Sequence, residues 1–146
     1  GGVAVDVEVE DQADLILRFD GGAAGSFTVS AVSVGNPNSI RLAIDGADLG
    51  VDWHQQEPDL YLERRPEGTL LRQRGTDDLA AGDTLSFLPK GHPQGYLDAF
   101  RNIMAATWRD ITDGAANAPT FADGLRGIRL VEAAVRSAKE RRTVEI

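Results

Sequence analysis

The sequence contains no cysteine, a single methionine and only two histidines. Without thiols there is no disulfide, no thiolate nucleophile and no cysteine-held metal. The histidines, His54 and His92, are 38 positions apart and sit in no HExxH-like pattern, so no metal site is expected. Long apolar runs are missing too: none approaches the ~20 residues a membrane-spanning helix needs. The opening "GGVAVDVEVE" has neither a basic n-region nor an apolar core and does not read as a signal peptide. There is no GxGxxG, no P-loop and no GxSxG. No catalytic and no cofactor-binding residue is therefore assigned within the chain. Positive charge is also scarce: 15 Lys and Arg stand against 23 Asp and Glu, net −8. An acidic chain repels phosphate and anionic lipid, so neither nucleic acid nor membrane is an expected partner. The bases gather only near the end, in "RSAKERR", where a helix C-terminus favours them.

What is present is hydrophobic patterning of two kinds. The 146 residues, 42% hydrophobic, suit one domain spanning 1–146. The first half alternates, with Val3, Val5, Val7 and Val9 on one side and acids on the other. Leu15, Leu17 and Phe19 follow, then Phe27, Val29 and Ala31 opposite Ser26, Thr28 and Ser30. Ile40, Leu42 and Ile44; Leu49, Val51 and Trp53; and Leu60 and Leu62 continue the pattern. Period two predicts strands with one buried face. The separators "DGGA", "GNPN" and "DGAD" are turn formers, too short for parallel crossovers, so the neighbours are antiparallel. "TLLRQR" reads as one more strand and "GTDDLAAGDT" as a polar loop.

The second half has helical period. After Pro93, Tyr96, Phe100, Ile103, Met104, Thr107, Trp108 and Ile111 recur at threes and fours, and Gly114 ends the run. Thr120 and Asp123 form a capping-box-like start to a second helix with a stripe of Leu125, Ile128, Val131, Ala134, Val135 and Ala138. Gly124 and Gly127 inside it suggest close packing or a frayed first turn. "RTVEI" reads as a closing strand. The expected fold is α+β: a large open, predominantly antiparallel sheet with two helices on one face. The other face, carrying Ser26, Thr28, Ser30, Val32, Val34, Ile16 and Arg18, meets either water or another subunit.

The individual motifs have bland readings. "FDGGAAGSF" is a hairpin turn before it is a phosphate cradle, and Asp77–Asp78 is a solvated pair. His54 points away from Trp53 across the strand and reads as an exposed sheet residue. His92 precedes Pro93, which prefers the first position of a helix, so His92 is expected beside a helix N-terminus, as a structural or substrate-side residue.

Taken in order, "DQA", "LRFDGGAAGSF", "IRLAIDGADLGVDW", "GHPQGYLDAFRN" and "PTFADGLRGIRLVEAAVRSAKERRTVEI" resemble the C-terminal domain of the Gfo/Idh/MocA oxidoreductases, from about residue 11 to the end. The resemblance implies a fragment of a longer parent whose N-terminal Rossmann domain binds NAD or NADP. The chain itself would hold no cofactor. It also implies that the family's catalytic lysine and its Asp-xxx-His motif lie upstream, since neither pattern occurs here. What carries over is local. The "VGNPNS" loop approaches the substrate in relatives, which makes Asn36 and Asn38 candidates for hydroxyl contacts, with His92 on the same side. The implied function is the substrate-binding and oligomerisation domain of a cytoplasmic NAD(P)-dependent sugar or cyclitol oxidoreductase. Its partners would be its own Rossmann domain, further copies of itself and a polyol. The rival reading is a non-catalytic sheet-and-helix binding or assembly module.

Overall fold

The turn-forming glycines and the period-two runs shape the computed structural model, which describes residues 2–6, 9–36, 38–74, 85, 86, 88 and 92–146. The chain divides into two compact units, Gly1–Pro37 with Gly124–Ile146, and Asn38–Asp123.

In the first unit, β1 (Gln12–Arg18) and β2 (Ala24–Ser30) form an antiparallel hairpin. The chain reverses at Phe19–Ala23, where Gly22 takes a positive φ of 86° that other residues resist. The register sets Asp14 opposite Thr28 and Gln12 opposite Ser30. Thr28 Oγ1 donates to Asp14 Oδ1 at 2.7 Å and Gln12 Nε2 donates to its Oδ2 at 2.9 Å. Those bonds hold the Asp14 carboxyl below the ordinary carboxylate range, Gln12 contributing most and Thr28 next. Ile16, Ser26 and Thr28 lie on this polar face, and Ile16 is 85% exposed.

The alternation at Val3–Val9 makes no strand among the described residues; Val7 lies outside them, and Val3 and Val5 are exposed. Alternation supplies a face, but a strand also needs a neighbour for its backbone groups. The closing strand is likewise absent. The last helix, α2 (Phe121–Glu140), ends on Arg141 at φ 53°. Arg142 N–H then reaches back to Ser137 O at 3.3 Å, a Schellman-type stop that turns residues 143–146 away from a ladder. The start of α2 is as the sequence indicates: Thr120 N–H and Oγ1 both donate to Asp123 Oδ2, at 2.8 and 2.7 Å.

The stripe that α2 turns inward overlaps the expected one only in part. Ala134 and Ala138 belong to both, and with Leu130, Ala133 and Ser137 they line a cavity of about 570 Å³ that β1 lines too. Ala133 is the one apolar side chain that becomes buried among the described residues, at 6% exposure, while Ile128 and Val131 are exposed. A Cβ added at Gly124 or Gly127 would meet nothing within 4 Å, and both positions are helical, so neither close packing nor fraying explains them here.

In the second unit, β3 (Arg41–Asp45), β4 (Gly50–His54), β5 (Leu60–Arg65) and β6 (Gly68–Gln73) form an antiparallel meander in that order. The α+β class and the antiparallel pairing are thus observed, with the described strands in two sheets. Across the meander, charges close on one another. Glu63, 6% exposed, takes Arg72 Nε at 3.1 Å and Arg65 Nε at 2.5 Å. Arg72 and then Arg65 hold its carboxyl below the ordinary range against the opposing effect of burial. Arg64 bridges Asp45 and Asp52, both at 2.8 Å, although its Nε–H is not aligned on Asp52.

The helix α1 (Tyr96–Asp113) starts later than Pro93 suggests. Gly95 is the cap, extended at φ −158°, and its N–H donates to Asp98 Oδ2 at 2.6 Å. His92 and Pro93 therefore stand outside the helix, not at its first turn. Gly114, at φ 68°, ends the helix as expected. The half-buried positions of α1 are Asp98, Asn102, Ala106 and Asp110, each four apart. Asn102 Nδ2 donates to Leu85 O, and Asp110 accepts the backbone N–H of Asn117 and of Ala118. Those two bonds, Asn117 first, hold the Asp110 carboxyl below the ordinary range. Loop amides draw the polar stripe inward, and the apolar stripe from Tyr96 to Ile111 stays exposed, with Phe100 at 60% and Trp108 at 66%.

Candidate functional site

The second unit builds one groove whose lining suits a small molecule. Its apolar walls are Ile40, Trp53, Pro58, Leu85, Tyr96 and Ala99, and it encloses about 390 Å³. That size and an apolar lining with a few polar groups are the usual make-up of a ligand pocket. Trp53 arrives on β4 by period two, and its indole N–H donates to Pro58 O at 3.1 Å, which fixes the ring.

The polar side of the groove is organised by one ion pair. Asp59 Oδ1 accepts Arg74 Nε at 2.7 Å, with the two side chains 21% and 18% exposed. Asp59 Oδ2 accepts the Gln94 N–H at 3.2 Å. The remaining guanidinium nitrogens donate to Ser86 Oγ at 2.6 Å, to Leu88 O and to His92 O. Arg74 thus fastens the segment ahead of α1 to the end of the meander. Ser86 Oγ in turn donates to Gln94 Oε1 at 2.8 Å. Among the described residues, two groove atoms are left without a hydrogen-bond partner, Gln55 Oε1 and Gln94 Nε2.

None of Asn36, Asn38, His54 and His92, the residues singled out from the sequence, is in the lining of this groove. His92 is exposed, and its contact with the groove is its backbone carbonyl on Arg74. Asn38 adopts φ 46° and its carbonyl accepts Gln56 Nε2 at 3.3 Å. Asn36 belongs to the first unit, where its amide donates to Val34 O at 3.4 Å. His54 is half-buried, not exposed, and its Nε2 lies 2.9 Å from Ser39 Oγ. As expected, it is on the opposite face of β4 from Trp53. Among the described residues no carboxylate holds its other ring nitrogen, so the pair lacks the third member of a nucleophile–base arrangement. Among the described residues no three His, Asp or Glu side chains gather to hold a metal. No described helix is long and apolar enough to cross a membrane.

The site does not suit a dinucleotide. The helix end at the groove already holds a carboxylate, Asp98, where a pyrophosphate would lie, and the Arg74 donors are taken up within the protein.

The second unit is thus an antiparallel sheet with a groove lined by apolar side chains and by the charged groups Asp59, Arg74 and Asp98. Residues 2–146 match the family model described as the oxidoreductase family, C-terminal alpha/beta domain, and the chain belongs to this Gfo/Idh/MocA family. Among solved structures, an oxidoreductase from Sinorhizobium meliloti is similar, with 31% identity and a TM-score of 0.81 over 92% of this chain and 41% of that one. An inositol dehydrogenase homolog from Azotobacter vinelandii, complexed with NADH and myo-inositol, matches at 28% identity and a TM-score of 0.77, over 91% of this chain and 38% of its own. The uncharacterized oxidoreductase YfiI of Bacillus subtilis (strain 168) is 27% identical over 145 residues, 90% of this chain and 36% of that protein. The chain therefore spans roughly two fifths of the relatives it matches.

Sequence reasoning missed Gln55, Asp59, Arg74 and Gln94. Nothing local marks them. A usable signal was the pair of turn-flanking polar residues at the same ends of neighbouring strands, Gln55 after β4 and Asp59 before β5.

Proposed function

We propose that this chain is the substrate-binding and oligomerisation domain of an NAD(P)-dependent sugar or cyclitol dehydrogenase. The observation that carries the reading is the family match over residues 2–146, joined to the likeness to a homolog that holds NADH and myo-inositol. In this reading NAD or NADP sits in an N-terminal Rossmann domain of the parent and takes the hydride. This domain orients the hydroxyl-bearing carbon. Asn36, Asn38 and His92 reach the substrate from the loops, and the β1–β2 face that carries Thr28 and Ser30 meets a second copy. We assign the protein to the cytoplasm, where such an enzyme draws on the nicotinamide pool.

The exposed apolar stripe of α1 favours a second reading, a non-catalytic assembly module. A βαβ unit with GxGxxG preceding this segment in the parent reading frame would exclude it. The biochemical test has two arms. Calorimetric titration of this chain with NADH should give no saturable heat, whereas the parent with NAD⁺ or NADP⁺ and myo-inositol or a hexose should form the reduced cofactor. Saturable binding of NADH to the chain, or a parent inert toward every polyol, would refute the reading.

A further inference from the structure

We infer that Gln55 and Gln94 form a hydroxyl-reading pair in the Trp53–Tyr96 groove, and that the groove selects an uncharged polyhydroxy ring over a phosphorylated or acidic one.

The first ground is the state of the two amides. Gln94 Oε1 is held by Ser86 Oγ, which leaves Nε2 as a donor with no partner, and Gln55 Oε1 is an acceptor with none. Both residues line the groove. Both atoms are hidden from solvent in this conformation, so water does not answer them directly. A buried polar atom without a partner is unfavourable. The terminal amide torsion of glutamine is broad, so a small turn presents each amide to the groove. One donor and one acceptor in the lining of the same groove are what a hydroxyl, itself donor and acceptor, satisfies. The apolar face of a pyranose or cyclitol ring then has Trp53, Ile40 and Pro58 to lie against.

The second ground is charge. The ionised lining groups are Asp59, Arg74 and Asp98. Arg74 spends its donors on Asp59, Ser86, Leu88 and His92. Asp98 sits on the first turn of α1 and caps Gly95. An entering phosphate or carboxylate therefore meets a carboxylate and finds the lining cation already engaged.

The choice of a polyol as ligand rests on the function proposed above; the selection against anions rests on the groove alone. The experiment is an NMR titration of this chain with myo-inositol and, separately, with inositol monophosphate. The side-chain amides of Gln55 and Gln94 and the Trp53 indole N–H should move on one saturating curve, with a Kd of about 1–50 mM for an isolated domain. The Trp108 indole, on the exposed stripe of α1, should stay still. Inositol monophosphate should bind at least ~10-fold more weakly. Gln94→Met and, separately, Gln55→Met should each weaken myo-inositol ~10-fold while the backbone spectrum is kept. No common curve up to about 100 mM, equal or tighter binding of the phosphate, or folded variants that bind unchanged would each overturn the inference. A parent that oxidises polyols with Gln94→Met kinetics unchanged sinks the pair and leaves the oxidoreductase standing. A groove that binds polyols in a parent that oxidises none does the reverse.

Discussion

The meander and the groove lie in the same unit and treat their buried polar atoms in opposite ways. On β5 and β6, Glu63 is enclosed and answered twice, by Arg72 and Arg65. Beside α1, Gln55 and Gln94 are enclosed and left with open valences. A satisfied charge cluster stabilises and has nothing left to offer a ligand. An unsatisfied amide costs stability and has a hydrogen bond in reserve. The difference separates the part of the unit that holds the fold from the part able to bind.

The sharpest way to break that contrast is to remove the answered charge. Glu63→Ala takes away the buried carboxylate that the Arg65 and Arg72 guanidinium groups share, and it should cause the largest fall in the urea midpoint of any variant discussed here. Gln94→Met should lower the midpoint much less, since it removes one unmet donor together with the single bond from Ser86 Oγ. A Gln94 variant that unfolds more readily than the Glu63 variant would reverse the contrast. Acid acts on the same side of it. Asp14, Glu63 and Asp110 all have folded-state pKa values lowered by their hydrogen-bond partners. The unfolded chain then binds more protons, so their contribution is complete above the ordinary carboxylate range. It should be lost as pH falls below about 4 and through the lowered values. Unfolding curves from pH 7 to pH 2 check this, and a midpoint independent of pH below 4 would contradict it.

Next in size is the boundary between the two regions. Asp59→Ala removes the acceptor of both Arg74 and the Gln94 N–H, at a cost of roughly 2 kcal/mol. It should also release the segment ahead of α1, so polyol binding should fall along with stability. Loss of one without the other would mean that Arg74 does not set the groove. The smallest effect is at Gly127, where an added methyl group has open space. Gly127→Ala should stabilise this chain by about 1 kcal/mol. The same change should be neutral or harmful in the parent if another surface packs there, and denaturant curves of the two proteins decide it.

Much of the fold was legible because it is local. Period two with "DGGA" and "DGAD" separators gives β1 to β5 directly, and "TLLRQR" gives β6. Thr120 with Asp123 marks the start of α2 to the residue. The rest depended on partners that period does not name. Pro93 suggested the start of α1, but Gly95 and Asp98 supply the cap three residues beyond His92. The apolar stripe of α1 is present, yet Asn102 and Asp110 face its neighbours because loop amides demand them. "RTVEI" alternates, yet Arg141 turns it aside. The groove was the least legible part. Gln55 and Gln94 are 39 positions apart and come together through the β4–β5 turn and the Arg74 clasp, neither of which has a sequence signature.

The central claim is that this domain orients a substrate and leaves the chemistry to the cofactor and to residues outside it. Steady-state kinetics of His92→Ala in the parent enzyme tests it most directly. An orienting residue contacts ground and transition states alike, so KM should rise while kcat stays within about tenfold of the unmodified enzyme. A fall in kcat of roughly a thousandfold with KM unchanged would show that His92 transfers a proton, and that the chemistry lies in this chain after all.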